Sequence, residues 1–327
     1  MIKKKIFIFT SNRSEYYILE PLIERFFKSK IFDLTILISS SHLSSKYGKT
    51  INEINKKYHR KLIDNKNKEN NEKLFSSIIL KLEKIFIENK PSAIILLGDR
   101  QEALAIAISS YVFRIPIIHI HGGEKTIGSY DDTNRHVITK LSNLHFCTEN
   151  KYRKRILQLG EQNKHIFNFG YLFKDNLTKI KKENKKQFIS KTKLQTSNFV
   201  LLLIHPTDGG IKKNQDNIKI IKKLCDYLQL NLKYSILITA PANEKSSSVI
   251  FDFIKENKNN SKFTYIANLG SSLFYNAIYQ CEFIVGNSSS IFTESSFFQT
   301  PSINIGNRQQ GRVIKKNIFN SNYKLKD

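Results

Sequence analysis

Two His, one Glu, two Asp and one Arg fall within the sixteen residues from His121 to His136. An apolar run, Ile115 to Ile120, leads through His121-Gly-Gly-Glu124 into Asp131-Asp132. Carboxylates and imidazoles so grouped can move protons near neutral pH. Ligands in open α/β sheets bind outside the carboxyl ends of the strands, where such a loop would lie. The alternative is an ordinary strand-loop-helix crossover with Asp as N-cap. A cap uses one acid, however, and this loop offers several ionisable groups. A second apolar run, Ser92 to Leu97, ends at Gly98-Asp-Arg100 and places Asp99 at another strand end.

Anion-binding groups are spread more widely. Arg13 lies in Thr10-Ser-Asn-Arg-Ser-Glu-Tyr16, between a first strand and a helix, and suits a phosphate clamp or a plain surface position. His205 precedes Pro206 at another strand end. In Gly286-Asn-Ser-Ser-Ser290, Ser288 and Ser289 could offer hydroxyls and free backbone N–H groups to a pyrophosphate, or simply cap a helix. Glu294 could accept from ribose hydroxyls or face solvent. Arg308 could meet a phosphate bidentately.

Positioning these groups requires alternating strands and helices. Residues 3–10 read as a strand and Glu72 to Glu88 as an amphipathic helix. Ser92 to Leu97 is a short continuous apolar run, as in a strand buried on both faces. The alternation predicts a doubly wound parallel sheet over residues 1–173. A Lys-rich solvated helix or linker follows over 174–198, and a second such sheet over 199–327. Strand ends of both sheets facing one cleft could hold a nucleotide-sugar. Residues 40–70 are polar and poorly patterned, with a mobile loop expected near Asn65–Asn71.

A length of 327 residues suits two domains. No run of eighteen apolar residues spans a membrane, and the apolar part of the first ten residues is too short for a signal peptide. Cys147, Cys225 and Cys281 are scattered without metal-ligand spacing and read as buried, reduced thiols of a cytoplasmic protein. The net charge of +25 invites a nucleic-acid partner. The excess is mostly Lys spread among Asn and Ile, without an aromatic-interleaved stripe. Nucleic acid is therefore set aside, although the positive field would attract a pyrophosphate.

Six segments together resemble a family. Thr10–Tyr16, Gly98-Asp-Arg100, His119–Glu124, Asp131-Asp132 with Arg135–Lys140, Gly286–Ser290 and Asn304–Arg312 look like the hydrolysing UDP-N-acetylglucosamine 2-epimerases, from about residue 5 to 315. Their order and spacing make the likeness specific. It implies two Rossmann-like domains in the glycosyltransferase-B architecture. It also implies conversion of a UDP-2-acetamido sugar to UDP and a free sugar inverted at C2, as in bacterial sialic or legionaminic acid synthesis. No cofactor or metal is implied, and a homodimer or homotetramer is usual.

The implied reaction removes the C2 proton while UDP leaves C1, then adds water at C1 and returns a proton to the opposite face of C2. Two proton-transfer groups of different pKa are needed. By motif position, Asp99 and Asp131 are the acid/base candidates, with Glu124 and His121 beside them. His205 and Arg13 would stabilise the diphosphate, assisted by Arg100 and Arg308. Ser288, Ser289 and Glu294 would hold pyrophosphate and ribose. Asp132 and Arg135 would pin the loop and helix start.

The chain departs from the family pattern in four places. His121 stands where related non-hydrolysing enzymes, and some hydrolysing ones, carry Glu. The usual Pro-Asn-x-Asp-x-Gly segment is Pro241-Ala-Asn-Glu-Lys-Ser246, and Ile291 replaces a Gly after the serines. Family members also continue beyond Arg-Gln-x-Gly-Arg with helices that return to the first domain, whereas this sequence ends at Asp327, so those crossover helices are expected to be missing. Two alternatives follow: a glycosyltransferase of the same architecture, or a catalytically impaired nucleotide-sugar-binding homologue.

Overall fold

Apolar runs form most strands of two parallel sheets, whose strands are three to seven residues long. The computed structural model describes residues 2–45, 48–63, 71–129, 131–177, 180–241 and 246–323. The chain divides into two units. The first comprises Met1–Ser45, Lys49–Lys125 and Tyr130–Lys179; the second comprises Lys46–Gly48, Thr126–Ser129 and Ile180–Asp327.

In the first unit, β1 (Lys4–Thr10), α1 (Arg13–Lys28), β2 (Phe32–Ile38), β3 (His59–Leu62), α2 (Asn71–Asn89) and β4 (Ala93–Leu97) are followed by α3 (Gln101–Val112) and β5 (Ile117–Ile120). Then come α4 (Asp131–Leu141), β6 (Leu144–Cys147), α5 (Asn150–Gln158), β7 (Ile166–Asn168) and the short α6 (Lys174–Leu177). The sheet order is β3-β2-β1-β4-β5-β6-β7, and every pair is parallel. The two-residue period of β1 divides its side chains between two cores. Ile6 and Ile8 pack with Tyr16, Leu19 and Ile23 of α1. Phe7 and Phe9 pack with Ile78 and Leu82 of α2 and the alanines of α3. Each fully buried side chain of this size contributes about 1.5–3 kcal/mol over its exposed state.

The second unit runs α7 (Lys185–Thr192), β8 (Phe199–Leu203), α8 (Gly210–Leu230), β9 (Ser235–Thr239), α9 (Ser247–Glu256), β10 (Phe263–Ile266), α10 (Gly270–Gln280) and β11 (Phe283–Gly286). It closes with α11 (Glu294–Phe298), β12 (Ser302–Ile305) and β13 (Ile318–Ser321). Its parallel order is β10-β9-β8-β11-β12-β13. Val200 and Leu202 face α8 and α9, while Leu201 and Leu203 face α10 and Phe188 of α7.

The expected doubly wound parallel sheets are thus present. In each, strand order reverses beside the first strand, between β1 and β4 and between β8 and β11. That reversal opens the crevice where ligands bind in such folds.

Several elements differ from expectation. β3 lies in the stretch read as unpatterned; His-Arg-Lys-Leu is an edge strand and needs little apolar content. β13 is the other unforeseen edge strand, beyond the last strand read from sequence. The stretch 174–198, read as a solvated helix or linker, holds α6 in the first unit and α7 in the second, and differs from that reading in burying Phe188. Residues 65–70 of the expected mobile loop, residues 242–245 of the altered Pro241–Ser246 segment and the last four residues lie outside the described set. All three cysteines are free and buried, as expected. Among the described residues no helix is long and apolar enough to cross a membrane.

Candidate active site

In the first unit the strand ends carry charge. β4 turns at Gly98 (φ 76°) so that Asp99 and Arg100 precede α3. The guanidinium of Arg135, 3% exposed, reaches this turn from α4 and pairs with the carboxylate of Asp99. Its other amino nitrogen donates to the Glu124 carbonyl at 3.2 Å and reaches Asp132 at 3.5 Å. One buried cation therefore fixes the β4 turn, the β5–α4 loop and the first turn of α4. Asp99, at 21% side-chain exposure, keeps access to solvent. Asp131 begins α4, with Asn134 Nδ2 at 3.5 Å from its Oδ1.

His121 follows β5 in the left-handed region at φ 64°, where few non-glycine residues settle. Its N–H extends the sheet by donating to Phe146 O at 2.9 Å. The ring stands edge-on to Tyr171, with Nδ1 3.3 Å from Glu124 Oε1. Glu124 is only 2% exposed along its side chain and also accepts from the Thr148 hydroxyl at 3.3 Å. The pair is a largely buried imidazole oriented by a still more deeply buried carboxylate, an arrangement suited to proton transfer.

His119 is the residue whose part the sequence did not disclose. Its Nε2 donates to the Gly98 carbonyl at 2.7 Å, and Nδ1 lies 3.1 Å from the Thr139 hydroxyl. A carbonyl only accepts, so Nε2 carries the proton. Burial holds the ring's pKa down at about 3, so His119 is neutral and structural. The only available signal was its place in the strand: a polar residue in an apolar run needs a buried partner.

Arg13 opens α1, which Asn12 caps by accepting from the Glu15 N–H at 3.1 Å. Arg100 Nε lies 3.4 Å from Glu102 Oε2. Arg13, Asp99 and Arg100 thus stand at the ends of β1 and β4, the switch point of the first sheet.

In the second unit the corresponding strand ends are built around the amide of Asn287. Its amide accepts from His205 N–H at 2.7 Å and donates to His205 O at 2.8 Å, tying β8 to β11. Gly286 before it has φ 151°, and a Cβ there would collide with the Leu203 carbonyl. The Asn287 carbonyl accepts from Gln309 at 3.1 Å and from Arg308 at 3.5 Å. His205, Ser288 and Arg308 are thereby gathered at one place.

The expected helix start is instead a 3-10 turn, Ser289–Ile291, with Ser288 Oγ accepting from Ser290 N–H at 3.4 Å. Glu294 opens the five-residue α11 behind this turn. Its buried carboxyl pairs with the Thr293 hydroxyl, and burial raises its pKa. Ile291, which replaces a family Gly, is fully buried among Leu203, Ile278 and Ile284. The side chain fills core there and does not stand at the strand ends. Among the described residues no group of His, Cys, Asp and Glu is arranged to hold a metal ion.

The family model described as UDP-N-acetylglucosamine 2-epimerase matches residues 24–325. A GDP/UDP-N,N'-diacetylbacillosamine 2-epimerase (hydrolyzing) of Campylobacter jejuni is 36% identical, over 98% of this chain and 85% of its own length. Polysialic acid biosynthesis protein P7 of Escherichia coli is 32% identical, over 95% and 80%. The fold is that of a solved Methanocaldococcus jannaschii UDP-GlcNAc 2-epimerase in complex with UDP-GlcNAc and UDP, at TM-score 0.76 and 21% identity, covering 92% of this chain and 83% of that one.

Proposed function

The chain belongs to the UDP-N-acetylglucosamine 2-epimerase family, and from that premise we propose that it hydrolyses a UDP-2-acetamido sugar with inversion at C2, releasing UDP and a free manno-configured sugar. The observation that carries this reading is the Arg135-centred cluster of the first unit. It holds Asp99 beside the loop bearing His121 and Glu124, and beside the first turn of α4 bearing Asp131. Such a set supplies the two proton-transfer groups the reaction requires.

Asp99 and Asp131 exchange the C2 proton. His121, backed by Glu124, serves the opposite transfer or the incoming water. The buried position of Glu124 suits it to orienting His121 rather than to meeting the sugar. His205, with Arg13, Arg100 and Arg308, stabilises the departing diphosphate. Ser288 and Ser289 hold the pyrophosphate, and Glu294 accepts from the ribose.

The sugar named for the Campylobacter relative, carried there on GDP or UDP, favours UDP-2,4-diacetamido-2,4,6-trideoxyglucose over UDP-N-acetylglucosamine as the substrate. A homodimer or homotetramer in the cytoplasm belongs to the same reading. The free, buried thiols agree with a reducing compartment, and light scattering tests the assembly. Incubation with each UDP-sugar, followed by chromatography, tests the reaction. UDP and a free sugar in equal amounts are expected; UDP-sugar recovered intact from both would end the reading.

A further inference from the structure

The acid in the first turn of α1 has no part in the chemistry above, yet its carboxyl is buried and accepts two hydrogen bonds. Glu15 is almost fully buried. One oxygen accepts from both the N–H and the hydroxyl of Ser11, each at 2.7 Å. Ser11 is fully buried, so its N–H would be left without a partner if the acid were lost. Ser11 and Glu15 bracket Asn12, the helix cap, and Arg13. The carboxyl thus closes a five-residue loop around the arginine assigned to the diphosphate. It also faces the charge of Arg100, itself 3.4 Å from Glu102 of α3.

We propose that Glu15 is a positioning residue for substrate. As a carboxylate, it holds the Ser11–Arg13 loop and the Arg100 side chain in the arrangement that receives the anionic diphosphate. This rests on the reading that Arg13 and Arg100 meet that group.

The surroundings make its charge adjustable. Burial raises its pKa to about 7, opposed by Arg100 and the Ser11 bonds and assisted by Glu102. His42, on the turn after β2, bonds Thr10 next to this loop at 3.2 Å, but burial keeps its pKa near 4 and the ring neutral. Through neutrality, Glu15 therefore switches between a charged acceptor and a weaker neutral one.

The test is calorimetric titration of UDP into the wild type and Glu15→Gln between pH 5.5 and 8.5, with the product assay run alongside. Gln keeps the shape and the acceptor oxygen but not the charge. UDP affinity should be about fivefold weaker in the variant at pH 8.5, the gap between a charge-assisted and a neutral hydrogen bond, and equal at pH 5.5. UDP's own titration cancels in the ratio. In turnover KM should rise at pH 8.5 and kcat/KM should fall by at least the same factor, because the arginines that bind the diphosphate also stabilise its departure. Ser11→Ala should weaken UDP in the same direction. Equal UDP affinity across the range, or a loss confined to kcat, would overturn the proposal. Absence of any product from the wild type would instead defeat the reaction reading, while UDP affinity would still decide the role of Glu15.

Discussion

The two switch points share a topology and differ in chemistry. At β1/β4 the strand ends carry Asp99, Arg100 and Arg13, with Arg135 reaching in from α4. At β8/β11 the joint is an asparagine amide, bonded to both backbone groups of His205, with serines and Arg308 around it. A parallel sheet provides the crevice in either case. The side chains decide whether protons move there or a ligand is held. In the proposed reading proton transfer belongs to the first alone, whereas the diphosphate is shared between Arg13 and Arg100 of the first and the groups of the second, and substitutions should separate the two functions.

Asp99→Asn should have the largest effect. Loss of a proton-transfer group lowers kcat by about 10²–10⁴-fold. UDP affinity measured by calorimetry should change by less than about twofold. A variant that keeps kcat and loses UDP would reverse the assignment.

Arg135→Met comes next. Removing one partner of a buried ion pair costs about 3–5 kcal/mol, less here because Asp99 is partly exposed. Denaturant unfolding should show a loss of about 2–3 kcal/mol, and kcat should fall as the acids lose their common anchor. A loss below about 0.5 kcal/mol would mean the cluster does not depend on this cation.

Arg308→Ala should weaken UDP by about 10–100-fold, as for a charge-assisted bond, with the proton exchange of bound substrate little changed. Equal losses in binding and chemistry would erase the contrast between the two switch points.

The smallest effect concerns stability against pH. Glu15 has a folded pKa near 7, above the ordinary carboxylate value, so its stabilising contribution is present at acid pH and is lost as pH rises through 7. Glu15→Gln, never charged, should therefore melt a few degrees above the wild type at pH 8.5, and the advantage should shrink as pH falls and vanish below about 4.5. His119 and His42 act oppositely. Their pKa values lie near 3 and 4, so the stability they lend is present above about 6.5 and declines below it. A wild-type melting temperature that climbs steadily toward pH 4 would contradict the neutral state of these rings.

Much of the framework was legible because buried parallel strands are continuous apolar runs; Ala93–Leu97 and Phe199–Leu203 announced themselves in this way. β3 and β13 did not, since edge strands bury one side at most and carry residues such as His59, Arg60 and Phe319 outward. At the candidate site, residue types and order pointed to Asp99, His121 and Glu124. Their division of labour did not follow from order. That Glu124 stands behind His121, and that Glu15 holds the loop of Arg13, are facts of burial and hydrogen bonding. Nor does spacing reveal that Asn287 joins β8 to β11, because its partner His205 is eighty-two residues away.

The central claim is that the acids of the first unit exchange the proton at C2 while UDP departs. It is tested most directly by running the reaction in deuterium oxide with UDP-2,4-diacetamido-2,4,6-trideoxyglucose and with UDP-N-acetylglucosamine, and reading the products by mass spectrometry and proton NMR. The account predicts UDP together with a free manno-configured sugar carrying one deuterium at C2. A released or transferred sugar that keeps its original C2 hydrogen and configuration would contradict it.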